Sequence, residues 1–133
     1  MKNNNKKPAE LCPCDSGKAF ADCCENHLNL SQNAPTAEAL MRSRYSAFTL
    51  KNEAYSRYSW HPDTCPSDIR LNDSTQWLGL KIVNTQAGET SDNSGEVEFV
   101  ARSKNNGKAH RLHENSRFVR FDNRWVYLDG EFR

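Results

Sequence analysis

Four of the five cysteines sit close together in Cys12-Pro13-Cys14-Asp15-Ser16-Gly17-Lys18-Ala19-Phe20-Ala21-Asp22-Cys23-Cys24. Two close pairs of thiolates, separated by a turn and the start of a helix, are enough to hold one Zn²⁺ tetrahedrally without a large core. Asp15-Ser16-Gly17 supplies the turn, and Lys18 to Cys24 forms a short helix that carries the second pair towards the first. Metal binding then folds a segment too small to fold alone. A disulfide framework competes for four cysteines, but it does not suit a cytosolic chain, and a bridge between neighbours Cys23 and Cys24 would be strained. Gly17-Lys18 is no phosphate loop, because Ala19 replaces the required Ser or Thr and Cys12 stands where the first Gly belongs. A redox C-x-x-C beside a βαβ unit is absent.

Outside the cluster the most informative residue is Arg44, which falls in the middle of an apolar helical stripe. A buried guanidinium needs a partner, so a carboxylate from the following strands, Glu114 first and then Asp129 or Glu98, is expected to reach it. The competing role is an anion-binding Arg at the base of a cavity, with Arg117 as a second donor. His61 lies between Trp60 and Pro62 and is the one candidate for moving a proton. His113 and Glu114 are neighbours on a strand, so they point to opposite faces and cannot act as a pair. Tyr45, Trp60, Trp77, Trp125 and Tyr127 are the aromatics that would line a ligand cavity, or fill the core in its place. Cys65 is read as an incidental thiol.

Positioning these groups falls to helices first and strands afterwards. Thr36 suits an N-cap, and Ala37 to about Leu50 contains neither Gly nor Pro. At 100° per residue, Ala37, Leu40, Met41, Tyr45 and Phe48 share one stripe. A second short helix covers Glu53 to Ser59 and ends at Trp60-His61-Pro62, after which Pro62 to Thr75 reads as a loop. Leu78, Leu80 and Ile82 alternate as a strand, Gln86 to Gly95 connects, and Val97, Phe99 and Ala101 alternate again. Asn106-Gly107 marks a hairpin, Ala109 to Phe121 changes phase with a bend expected near Asn115-Ser116, and Arg124 to Asp129 closes the series. The order of elements makes an α+β domain with an antiparallel sheet. Residues 1–10 form a flexible lead-in, 11–27 the zinc segment, 28–35 a polar linker and 36–133 the main domain. With only Leu28 and Leu30 to anchor it, that linker predicts a zinc segment energetically separable from the main domain.

The 133 residues carry 18 Lys and Arg against 17 Asp and Glu, a net charge of +1. So even a balance argues against gripping duplex nucleic acid or an anionic membrane surface. No apolar run is long enough for a membrane span or a signal peptide, so a cytoplasmic protein is expected. Aliphatics are few, and 3 Trp, 4 Tyr and 6 Phe have to supply much of the core.

Cys12-Pro13-Cys14-x-Ser16-Gly17-Lys18 ending in Cys23-Cys24 resembles the SEC-C zinc motif, named for the carboxyl-terminal zinc segment of the translocase ATPase SecA. Asp15 replaces the Gly usual there, a change expected to touch only the turn. Downstream, Leu40-Met41-Arg42-Ser43-Arg44-Tyr45-Ser46-Ala47-Phe48, Trp60-His61-Pro62, Trp77-Leu78-Gly79-Leu80, Glu98-Phe99-Val100-Ala101-Arg102, Ser116-Arg117-Phe118 and Tyr127-Leu128-Asp129-Gly130 resemble the YchJ-like family of bacterial proteins. The resemblance implies an amino-terminal SEC-C motif before a cone-shaped, nuclear-transport-factor-two-like (cystatin-like) domain, in which a curved antiparallel sheet packs on helices around a cavity. Many members carry a second SEC-C motif at their end, a position this sequence does not reach. The family has no established biochemical activity, so the resemblance implies a fold and no particular function. The expected function is a non-enzymatic zinc-binding interaction protein whose zinc segment docks a protein or ribonucleoprotein partner, by analogy with SecA a secretion chaperone or the ribosome. The alternative is a small-molecule enzyme of the isomerase or dehydratase type, with Arg44 orienting an anionic substrate and His61 moving a proton.

Overall fold

The computed structural model describes residues 10–71 and 74–133, so most of the expected lead-in lies outside the described residues. A 3-10 turn (Phe20–Asp22) and helix α1 (Glu25–Leu28) precede the main helix α2 (Ala37–Thr49) and the short α3 (Glu53–Tyr58). Four strands follow, β1 (Gln76–Ala87), β2 (Ser94–Asn105), β3 (Lys108–Phe121) and β4 (Arg124–Phe132). They form one antiparallel sheet in sequence order. This is the mixed helix and antiparallel-sheet architecture expected.

Local chemistry explains the boundaries. Thr36 caps α2, its side chain accepting from the Ala39 N–H at 3.1 Å, and Asn52 does the same for α3 with Tyr55 at 2.9 Å. The tight turns Asn106-Gly107 and Asp122-Asn123 have positive φ at both central residues, the geometry that matches the twist of paired strands. Gly88 and Gly95 pack backbone to backbone at the mouth of the first hairpin, where a Cβ on Gly95 would collide with the Gly88 backbone. That approach lets the Gly88 carbonyl accept from the Ala37 N–H at 2.9 Å, tying the hairpin to the start of α2.

Alternate residues of β2 and β3 face α2. Val97, Phe99 and Ala101 pack with Phe118 and Trp125 against Leu40, Met41 and Tyr45. The expected phase change within β3 does not occur, since Glu114, Ser116 and Phe118 continue one buried face. The extra residue is in β4: Arg117 pairs with Asp129 and Phe118 with Tyr127, leaving Leu128 without a partner. A second bulge, between Trp77 and Gly79, turns Leu78 outward, where it is 47% exposed, so the alternation expected from Leu78 is broken.

Each edge of the sheet is engaged by the chain at one point. On β4 the chain leaving α3 forms a parallel bridge, with Tyr127 N–H donating to Ser59 and His61 N–H donating to Tyr127, both at 2.8 Å. On β1 the Leu80 N–H donates to Asp15 Oδ2 at 3.0 Å, so the cysteine segment occupies that edge. The segment is therefore no separate body. Cys12, Cys14 and Cys24 are buried in the same cluster as Leu40 and Met41, and Arg42 Nη1 donates to the Cys14 carbonyl at 2.7 Å. The segment is anchored by more than Leu28 and Leu30, because the cysteines themselves pack as apolar residues and Asp15 does more than complete a turn. Among the described residues no helix is long and apolar enough to cross a membrane.

Candidate metal centre and interior cavity

A small antiparallel bridge, Leu11 with Ala19, closes the loop that carries Cys12 and Cys14. The Cys12 N–H donates to Lys18 at 2.9 Å, and Asp15 and Gly17 take positive φ to complete the reversal. The 3-10 turn and α1 then deliver Cys23 and Cys24, the role expected of a short helix over this stretch. All four Sγ atoms lie within 4.8 Å of one another, three of the residues buried and Cys23 half-buried. Cys14 Sγ is 3.7 Å from Cys23 Sγ, which is 4.0 Å from Cys24 Sγ. Every cysteine is a free thiol, so the disulfide alternative is not realised. Hydrogen bonding from Cys24 pulls the Cys14 thiol down to about 4, while the Cys24 thiol is pushed up by that same bond and by burial. Four thiols this close need a cation to hold more than one negative charge. Ser16 Oγ, 3.3 Å from Cys23 Sγ, and Ser46 Oγ, 3.6 Å from Cys12 Sγ, are polar neighbours of the sulfurs. The SEC-C motif and this four-cysteine cluster are compatible with metal binding.

Beside the centre runs a groove of about 860 Å³ whose walls include Lys18, Cys23, His27, Asn33, Glu38 and Arg42. A separate cavity of about 170 Å³ lies between α2 and the sheet, with Arg44, Tyr45, Trp60, Trp77, Glu114 and Tyr127 in its lining. Arg44 is 3% exposed and, among the described residues, forms no ion pair with a carboxylate, contrary to the expected bond with Glu114, Asp129 or Glu98. Its Nη1 donates to the Ser56 carbonyl at 3.0 Å and to Ser59 Oγ at 2.8 Å. Its guanidinium carbon sits 4.7 Å from the Tyr127 ring centroid and 4.8 Å from that of Trp60. Burial pushes the Arg44 pKa down to about 10. The proposed carboxylate partners are engaged elsewhere. Glu114 Oε2 accepts from Ser116 Oγ at 2.6 Å and from the Tyr127 hydroxyl at 3.0 Å. Asp129 pairs with Arg117 at 2.6 Å on the solvated face, and Glu98 contacts His113 at 2.7 Å.

Comparison with known proteins follows from this geometry. The family profile described as YchJ, middle NTF2-like domain, matches residues 36–130, and the SEC-C motif matches residues 9–26. The chain belongs to the YchJ family. A UPF0225 protein of Bordetella pertussis is 48% identical over 136 residues, covering 100% of both chains. One from Deinococcus radiodurans is 46% identical over 124 residues, covering 92% of this chain and 90% of that one. Two solved SEC-C motif-containing proteins share the fold. The solution structure from Rhodopseudomonas palustris has a TM-score of 0.80 at 33% identity, covering 90% of this chain and 96% of that one. The crystal structure from Psychrobacter arcticus has a TM-score of 0.75 at 31% identity, covering 89% and 80%.

Within this family fold the structure brings together some of the expected cavity residues and disperses others. His61 packs its ring against Phe121, 5.2 Å between centroids, and does not line the cavity, so the acid-base role drawn for it has no access to Arg44. Arg117 is on the outer face, as its strand parity demands. Trp125 is core: its indole N–H donates to the Pro35 carbonyl at 3.1 Å and Arg120 stacks on its ring. His113 and Glu114 do point to opposite faces. Phe48, Leu112 and Ser116 join the lining without having been singled out as cavity residues. Phe48 was legible, since it follows Arg44 by one turn of α2. The Ser56 and Ser59 partners of Arg44 carry no sequence signal, because they act from another helix through a carbonyl and a short hydroxyl.

Proposed function

We propose that the protein is a non-enzymatic, cytoplasmic zinc-bearing binding module, its zinc segment docking a protein or ribonucleoprotein partner. The observation that carries the metal half is the sulfur spacing. A tetrahedron with Zn–S bonds of about 2.3 Å has edges of about 3.8 Å, and two of the sulfur separations, 3.7 Å from Cys14 to Cys23 and 4.0 Å from Cys23 to Cys24, bracket that value. Four thiolates and no open position make a structural site rather than a catalytic one. Arg42, donating to the Cys14 carbonyl, and Ser46, beside Cys12, would hold the loaded segment on α2. The docking half is supported by the polar groove, whose half-buried Cys23 and flanking Lys18 and Arg42 place the metal centre in one of its walls. Elemental analysis of protein purified without added metal tests the first half: one zinc per chain is expected, with less than about half an equivalent after Cys23→Ser. Co-sedimentation with ribosomes and chemical cross-linking test the second. Capture that persists unchanged in Cys23→Ser and Lys18→Glu would remove the groove from the account.

A further inference from the structure

The cavity between α2 and the sheet is independent of the metal centre and has a chemistry of its own. Its volume of about 170 Å³ is close to that of engineered apolar cavities of about 150 Å³ that accept benzene. Met41, Phe48, Trp77, Phe99 and Leu112 make most of its wall apolar, and Phe48 stacks on Trp77 with ring centroids 6.1 Å apart. An occupant therefore has a flat or compact apolar body of roughly six to nine heavy atoms.

The polar groups decide what that body carries. Among the described residues only Nη1 of Arg44 is hydrogen-bonded; Nε and Nη2, the edge that forms a two-pronged fork, have no protein acceptor. Trp60, also in the lining, has a buried indole N–H without a partner. A buried indole N–H without a partner and a guanidinium that forms no ion pair among the described residues, with Glu114 acting on its charge only from a distance, make an incomplete site, because an unpaired N–H is costly away from water. The aromatic faces of Trp60 and Tyr127 stabilise the cation but accept no conventional hydrogen bond. A carboxylate is acceptor-only, planar, and matched to the guanidinium fork. Glu114, on the same cavity and already accepting two O–H bonds, sets the opposite limit: a second negative charge on the ligand would face it. We propose that this cavity binds a small organic monocarboxylate with an apolar body of about benzene size, its carboxylate on Arg44 Nε and Nη2 and the Trp60 indole N–H.

Benzoate is the probe, titrated into the full metal-loaded chain, with benzyl alcohol, benzylamine and phenyl phosphate as isosteric controls. Trp60 and Trp77 line the cavity, so intrinsic fluorescence reads occupancy directly. A melting temperature raised by about 9–10 °C at a hundredfold excess over Kd gives a second readout. Benzoate is expected to bind saturably and about tenfold or more tighter than each control. Arg44→Gln is expected to remove that preference. Because Arg44 also holds Ser56 and Ser59, Trp60→Phe serves where Arg44→Gln does not fold: it keeps an aromatic ring, loses the N–H, and is expected to weaken benzoate about threefold or more while leaving benzyl alcohol unchanged. No saturable benzoate binding up to about 10 mM, equal affinity for benzyl alcohol, or tighter binding of benzylamine or phenyl phosphate overturns the proposal. None of these outcomes depends on whether the four cysteines hold zinc.

Discussion

Replacing Asp15 by Gly restores the residue usual in the motif, and the structure says that the restored motif is the less stable one. Two backbone effects oppose each other at this position. Asp15 has φ of 61°, which costs a side-chain-bearing residue about 1 kcal/mol and Gly nothing. Gly in turn adds unfolded-state freedom worth about 0.5–1 kcal/mol. These nearly cancel. What remains is the bond from the Leu80 N–H to Asp15 Oδ2, 3.0 Å long, made where β1 has no strand beside it and where Leu80 is 6% exposed. A hydrogen bond to a charged group contributes about 1.5–3 kcal/mol, and the lower end applies here because Asp15 is exposed to screening solvent. With an unfolding entropy of about 2.1 cal/mol/K per residue, a chain of 133 residues shifts its melting temperature by about 3.5 °C per kcal/mol. Asp15→Gly should therefore melt about 5–7 °C lower. Asp15→Asn keeps an acceptor and tolerates positive φ, and should lose about half as much. Asp15→Ala loses the bond and keeps the strain, so it should be the worst of the three. Calorimetry on metal-saturated protein, with zinc content checked in each variant, gives the order wild type, Asn, Gly, Ala. A Gly variant that melts at or above the wild type would refute the claim that Asp15 fastens the cysteine segment to the sheet.

Three further perturbations have defined outcomes. Gly95→Ala forces a Cβ onto the Gly88 backbone and should cost about 1–3 kcal/mol in urea unfolding, whereas Gly107→Ala, with open space but positive φ, tests strain alone. Chelation should lower the midpoint of a single unfolding transition rather than create a second one, because Cys12, Cys14 and Cys24 belong to the same buried cluster as Leu40 and Met41; near-ultraviolet dichroism that stays unchanged after metal removal would contradict this. Arg117 holds the Asp129 carboxyl below its ordinary 3.8, so that pair stabilises the fold above this pH and ceases to do so as acid titrates Asp129 through its lowered value. Asp129→Asn should change the melting temperature by less than about 2 °C at neutral pH in physiological salt, and the small difference from wild type should vanish in acid.

What the sequence disclosed and what it concealed divide along the range of the interactions. Thr36 and the Gly- and Pro-free run after it define α2 by local chemistry, and the structure starts the helix where they say. Asn106-Gly107 fixes a hairpin for the same reason. The paired cysteines are legible because ligand spacing is local too. Arg44 shows the other side. Its place in an apolar stripe correctly announced burial, but the assumption that burial requires a carboxylate overlooked a guanidinium set against the rings of Trp60 and Tyr127 and held by Ser56 and Ser59. Counting Leu28 and Leu30 as the only anchors of the cysteine segment failed because buried cysteine packs as an apolar residue. Leu78 points outward because a bulge spends one residue without changing composition, which no alternation pattern can register.

Helix α2 explains how one short domain supports two unrelated sites. Residues four apart share a face of a helix, while residues two apart fall on opposing sides. Arg42 and Ser46 form one such pair, and both address the cysteines, through the Cys14 carbonyl and the Cys12 sulfur. Arg44 and Phe48 form the other, and both line the cavity. The stripes are interleaved in sequence and separated in space, with Met41 and Tyr45 packing between helix and sheet. Substitutions along the helix should sort accordingly. Ser46→Ala removes the hydroxyl beside Cys12 without touching the cavity, and should weaken zinc retention in a competition with a chromogenic chelator while leaving benzoate fluorescence titrations unchanged. Arg44→Gln should do the reverse. If either variant moved both readouts by comparable factors, the helix would be acting as a single coupled element, and the two sites would have to be treated as one.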